Sequence, residues 1–169
     1  MRLKIITIKT SSRMQVIFSD DNFTKPTGLS LFLAGPSPRN NFSVEANWRL
    51  EAIKYLQSCD TKDLTVHIPL PSGGPLEHYE DQIDWETKGL NTATIIAFWV
   101  PRDLDILPGF TTNFEFGEFY KSGKVVYGRP DSAPKMRYLD YRFKKENPQE
   151  PICKTLEATL AYALLKLGL

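Results

Sequence analysis

Hydrophobic positions along the chain fall into two alternating kinds of segment. Leu29 to Ala34, Leu64 to Ile68 and Thr94 to Val100 are short, nearly continuous apolar runs, the pattern of strands buried on both faces of a parallel sheet. Val125-Val126-Tyr127 begins another. Between these runs the apolar positions take helical spacing. Ser43 stands where it can cap a helix carrying Ala46, Leu50, Ile53 and Leu56, with Trp48, Ala52 and Tyr55 widening the stripe to an end near Ser58. Tyr79 to Ala93 sets Ile83, Leu90 and Ala93 on one helical face. A helix carrying Glu115 runs to about Ser122 and stops at Gly123, and another spans about Pro151 to Leu167. Alternation of strand and helix predicts an α/β fold with a mostly parallel sheet and helices on both faces.

Two weaker patterns complete the reading. Residues 3 to 8 and 14 to 19 read as short strands joined through Thr10-Ser11-Ser12-Arg13, predicting an N-terminal β-hairpin as an antiparallel edge. Tyr138 to Tyr141 reads as a short strand. Two breaker segments, Gly35-Pro36-Ser37-Pro38-Arg39 and Pro69 to Leu76, are loops, and the first is the earlier candidate for ligand contact.

Composition narrows the partners. At 169 residues and 41% hydrophobic content, residues 1–169 are expected to form a single domain with a substantial core. Lys and Arg outnumber Asp and Glu by 21 to 20, so no global field draws the chain to nucleic acid or a membrane, and Lys144-Lys145 reads as a solvated face. Cys59 and Cys153 lack metal-ligand spacing and fit a reducing compartment. No apolar run approaches the roughly 20 residues of a membrane span, and the expectation is a soluble, cytoplasmic protein. Walker, G-x-G-x-x-G and G-x-S-x-G motifs are absent. His67 and His78 stand in no metal or triad spacing, with His67 read as a strand residue whose ring is satisfied. No cofactor and no metal are expected.

Candidate chemistry concentrates in acids at strand-to-helix junctions. In Pro108-Gly109-Phe110-Thr111-Thr112-Asn113-Phe114-Glu115, an acid enters the first turn of a helix that follows an apolar strand, at the mouth where α/β sheets bind ligands. The same residues spell a capping box from Thr112 to Glu115, so a structural cap and a nucleophile both remain open. Glu86 falls in or beside the stripe of its helix and is either an edge residue reaching water or a half-buried carboxylate able to hold a proton near neutral pH. Asp84 and Trp85 beside it are either a solvated acid with a core ring or a surface for a flat heterocycle. Two carboxylates from different junctions are the equipment of retaining glycosyl transfer, one attacking the anomeric carbon and the other managing the proton of the leaving group.

With these residues quoted, a resemblance enters. Leu31 to Arg39, Gln82-Ile83-Asp84-Trp85-Glu86, Ala97-Phe98-Trp99-Val100-Pro101-Arg102 and Thr111-Thr112-Asn113-Phe114-Glu115-Phe116-Gly117 resemble the nucleoside 2-deoxyribosyltransferase-like family over roughly residues 29 to 128. The resemblance implies a flavodoxin-like three-layer fold and cleavage of the N-glycosidic bond of a 2′-deoxynucleoside. It implies Glu115 as the nucleophile at C1′, Glu86 where the family contacts the base, and the Gly35-Pro36 loop closing over the nucleoside. The family's aspartate six residues before the nucleophile is here Gly109, leaving Thr111, Thr112 or Asn113 to hold the sugar. Ionised Glu115 is expected from its place at a helix N-terminus.

The expected reaction is deoxyribosyl transfer to another base or water. Glu115 and Glu86 would be catalytic, with Gly35, Pro36, Ser37, Arg39, Asp84, Trp85, Arg102, Thr112 and Asn113 binding a nucleoside or nucleotide. Two alternatives stand beside it: a nucleoside 5′-monophosphate N-glycosidase with Arg39 or Arg102 on the phosphate, and a non-catalytic nucleotide sensor. A homo-oligomer is left open.

Overall fold

The apolar runs become the middle of a six-stranded sheet. In the computed structural model, residues 14–38, 47–72 and 78–169 are described. They form β1 (Gln15–Phe18), β2 (Ser30–Ala34), α1 (Trp48–Ser58), β3 (Thr65–Ile68), α2 (Tyr79–Thr92), β4 (Ile95–Trp99), α3 (Phe110–Phe119), β5 (Val125–Gly128), α4 (Arg137–Glu146), β6 (Ile152–Cys153) and α5 (Leu156–Leu167). The strand order is β1-β3-β2-β4-β5-β6, and every pairing is parallel. From β3 onward this is the flavodoxin-like order, with β2 central and its neighbours β3 and β4 on opposite sides.

Period-two alternation within each apolar run divides the core. Leu31, Leu33, Ile95, Ala97, Trp99 and Val126 pack with Trp48, Ala52 and Leu56 of α1 and Leu156 and Leu160 of α5. Phe32, Ala34, Ile96, Phe98 and Tyr127 pack on the other face with Trp85 of α2, Phe116 of α3 and Phe143 of α4. Three layers result, and both faces of the central strands are dry.

Several expectations change. β1 is an edge strand as anticipated and pairs parallel with β3; among the described residues the sheet has no antiparallel strand pair, and residues 3 to 8, the other arm of the expected hairpin, lie outside them. An alternating pattern reads the same in either direction, so only long-range pairing sets strand orientation. Tyr138 to Tyr141 belongs to helix α4. There Met136, Leu139 and Phe143 are buried at helical spacing while Tyr138 and Tyr141 are exposed. Ser43 and Ala46 lie outside the described residues, and Asn47 caps α1, its side chain accepting from the Arg49 N–H. The last helix starts at Leu156 under a Thr155 cap, because Ile152 and Cys153 are drawn into pairing with β5.

Gly89 of α2 reports how closely that helix lies on the sheet. A Cβ there would stand 2.5 Å from Cε2 of Phe32, a ring with no exposure. Helix propensity alone makes Gly→Ala favourable by about 1 kcal/mol. Overpacking against a ring that cannot yield costs about 1–3 kcal/mol and should win. Gly89→Ala is therefore expected to lower the urea midpoint; an unchanged or raised midpoint would show that α2 can lift off Phe32.

Candidate active site

The C-terminal ends of β2 and β4 part at the point where the strand order reverses, and a cavity of about 280 Å³ opens there. The turn after β2 forms one wall. Gly35 has φ 148° at a position where a Cβ would fall 2.1 Å from the Trp99 carbonyl oxygen and 2.8 Å from Cζ2 of Trp48, so only glycine lets β2 end this close to β4. Pro36 and Ser37 continue the wall.

Helix α1 pins this turn through two side chains. Trp48 Nε1 donates to the Pro36 carbonyl at 3.0 Å. Arg49, 1% exposed, donates from Nε to Leu33 O at 3.1 Å and from Nη2 to Gly35 O at 2.7 Å. Its Nη1 reaches Pro36 O at 3.4 Å and Ser37 Oγ at 3.3 Å. All four acceptors are neutral. The guanidinium nevertheless lies in the field of Glu115 and Glu86; burial lowers its pKa to about 10, and the two acids oppose that fall.

Helices α2 and α3 bring the acids. Gln82 Nε2 donates to Glu86 Oε1 at 2.8 Å and lies 3.4 Å from Pro69 O, tying Glu86 to the turn after β3. Burial raises the Glu86 pKa, against the Gln82 hydrogen bond and the attraction of Arg49. Glu115, one turn into α3, makes no side-chain hydrogen bond among the described residues. Burial pushes its carboxyl up to about 8; repulsion from Glu86 adds to this, Arg49 pulls the other way, and Glu118 contributes a little more.

A second cavity of about 320 Å³, walled by Ile83, Leu90, Phe114 and Phe119, shares Tyr79, Glu86, Thr111 and Glu115 with the first. The acids therefore stand on the partition between a polar lobe and an apolar one. Together the lobes match the size of a small-molecule site, roughly 300–1,000 Å³.

Measured against expectation, the structure brings Gly35, Pro36, Ser37, Glu86, Thr112 and Glu115 to one place. Thr111 and Gly109 line it as well. The capping box is not formed: Gly109, in the left-handed conformation, caps α3, and Thr112 is buried inside the helix. Glu115 is accordingly not in the first turn, and the expected pull of the helix terminus toward ionisation gives way to burial and Glu86. Trp85 is a core ring against Phe23, Phe32 and His67, and exposed Asp84 lines neither lobe. Arg102 and Asn113 bond each other in a separate cavity behind α3. Arg39 lies outside the described residues. His67 is buried in β3 and stacked on Phe23; among the described residues neither ring nitrogen makes a well-formed hydrogen bond, and burial lowers its pKa against the opposing pull of the Thr24 backbone. Arg49, Tyr79 and Gln82 were not singled out from the sequence. Arg49 did carry a signal, since it stands three and seven residues before the buried Ala52 and Leu56.

In a doubly wound parallel sheet, a cavity at the switch point is where such folds bind small molecules, and here two carboxylates line it. The sequence model of the nucleoside 2-deoxyribosyltransferase-like family matches residues 28–133, more than half of the chain, and the protein belongs to that family. No curated protein matches it. Membership points to glycosyl transfer or N-glycosidic cleavage of a nucleoside-type small molecule. Among the described residues no helix is long and apolar enough to cross a membrane.

Proposed function

We propose that the protein cleaves the N-glycosidic bond of a 2′-deoxynucleoside and passes the deoxyribosyl group to another base or to water through an ester on Glu115. The observation that carries this reading is the partition itself: a carboxylate open to two lobes and free of hydrogen bonds to described residues stands near a second carboxylate that Gln82 holds in place. Burial raises both carboxyl pKa values and repulsion from Glu86 lifts that of Glu115 further, which favours one proton on the pair near neutral pH. One charge and one proton over two carboxylates is the ionisation state that double displacement needs.

In the reacting form the shared proton sits on Glu86, and the Glu115 carboxylate, the minor ionisation state near neutral pH, attacks C1′. A C–O ester bond forms, the C1′–N bond breaks with its electron pair passing to the base, and Glu86 gives the base a proton. A second base or water then attacks C1′, frees the Glu115 carboxylate and returns the proton to Glu86. The apolar lobe suits the heterocycle, while Thr111, Thr112 and the Gly35 to Ser37 turn suit the sugar. Bare nucleosides are the expected substrates: among the described residues lining the two lobes the one basic side chain is Arg49, committed to the turn after β2, and Arg102 faces another cavity.

Intact-protein mass spectrometry after mixing with a panel of 2′-deoxynucleosides and their 5′-monophosphates, with base release followed in parallel, tests the reading. A deoxyribosyl adduct mapping to Glu115 with the nucleosides is expected. Adduct and release with the monophosphates alone would make the protein a nucleotide N-glycosidase. Binding with neither adduct nor release from any member would favour a sensor.

A further inference from the structure

Behind α3, on the opposite side from Glu115, lies the roomiest of the cavities described above, about 620 Å³, between α3 and α4. Its lining includes Arg102, Lys121, Lys135 and Arg142 and no carboxylate. It shares no lining residue with either lobe of the candidate active site.

The charges here are poorly compensated. Arg102 is only 7% exposed. It donates from Nη1 to the Lys135 carbonyl at 3.2 Å and from Nη2 to Asn113 Oδ1, both neutral acceptors, and its buried Nε has no partner. Among the described residues no carboxylate pairs with it, and burial lowers its pKa. A guanidinium held in place without a counter-ion is costly, and an anion arriving in the cavity would recover that cost. Arg142 donates to the hydroxyls of Tyr120 and Tyr138, again neutral groups, and lies over both rings. Lys121 does pair with Glu146, at 3.3 Å on the surface. Lys135 makes no side-chain contact of this kind among the described residues and holds a left-handed backbone, φ 58°, which a non-glycine residue adopts at a cost.

The aromatic groups add shape to the charge. Tyr120 and Phe116, stacked at an interplanar angle of 8°, form one wall, and Tyr138 stands 68% exposed at the rim. Cations beside flat rings select a ligand with the same two parts.

We propose that this cavity is a second ligand site, separate from the Glu115 site, for a small organic anion in which a phosphate or carboxylate is carried on a flat ring. The anion would meet Arg102 and Lys135, and the ring would lie against the tyrosines. Nothing in this assignment depends on the glycosyl chemistry proposed for Glu115.

Isothermal titration calorimetry with phenyl phosphate, inorganic phosphate and phenol as probes tests it. Phenyl phosphate is expected to bind saturably and at least about tenfold more tightly than either of its parts, because one charged and one ring contact act together. Arg102→Met should weaken it by about tenfold or more, as loss of a buried charge-assisted partner does. Since that variant risks the fold, Lys135→Gln, at an exposed position, is the second arm, with an expected loss of several-fold and unchanged circular dichroism. Glu115→Gln should leave the affinity unaltered. Absence of saturable phenyl phosphate binding would overturn the proposal. So would binding that Lys135→Gln does not weaken, or binding that Glu115→Gln abolishes.

Discussion

Glu115→Gln is expected to remove turnover and covalent labelling together, by on the order of 10⁴-fold or more, because an amide cannot form the glycosyl ester. It should at the same time stabilise the protein, and the pH at which it does so identifies the cause. Glu115 has a folded pKa of about 8 against an ordinary value of 4.5, so between these the native state holds a proton that the unfolded chain has released. Stability therefore falls as pH rises through that window: the Glu115 contribution is intact below the unfolded value and lost above about 8. Glutamine stays neutral throughout. The difference in stability between Glu115→Gln and the parent should be near zero at the acid end and reach on the order of 2 kcal/mol at the alkaline end, after allowance for solvent reaching the carboxylate. For a chain of this length that is a rise of about 4–8 °C in Tm. Glu86→Gln should act in the same direction on its neighbour, because removing the repulsion lets Glu115 ionise at lower pH. Turnover retained in Glu115→Gln would sink the nucleophile. A stability difference that is flat with pH would mean that Glu115 is solvated and ionised.

The contrast between what the chain displays and what it hides follows from the range of each interaction. Strands β2, β3 and β4 were legible because burial on both faces leaves continuous apolar runs. Helix α4 was not, because its exposed Tyr138 and Tyr141 carry strand propensity and its buried set is small. β6 has two residues, too few for any period to show. At the site, motif proximity misled where helical geometry would have corrected it. Thr112 and Glu115, three apart, share one face of α3; Asn113, Phe116 and Tyr120, three and seven apart, share another and belong to the second cavity. The same rotation separates Trp85, in the core, from Glu86, at the cavity. Ile83, expected toward the sheet, is 44% exposed, and Trp85 with Gly89 takes its place. A raised pKa for Glu86 was one of two readings of its place beside the helix stripe and matches in direction; that of Glu115 had no sequence signature, since it needs Glu86 and Arg49 brought in from other elements.

Arg49→Met should cost on the order of 3 kcal/mol of stability, because it breaks a buried hydrogen-bond network to four acceptors. The carbonyls of Gly35 and Pro36 would lose a donor in a place water reaches poorly, and the turn that forms one wall of the cavity would lose its anchor. The loss is electrostatic as well as structural. Arg49 lowers the pKa of both Glu86 and Glu115, so without it both rise, and the acid limb of the pH–rate profile should move to higher pH. Arg49→Lys separates the two effects. An ammonium keeps the positive charge near the acids but cannot reproduce a planar fork that reaches four acceptors from three nitrogens. The lysine variant should therefore lose most of the same stability while its acid limb stays close to that of the parent; chemical denaturation and a pH–rate series on the three proteins check both halves. If Arg49→Met left the profile in place while destabilising the fold, Arg49 would be a staple for the turn and nothing more. If it moved the profile without loss of stability, the hydrogen bonds to the turn would be dispensable, and the function of Arg49 would lie in the field it casts on the two acids.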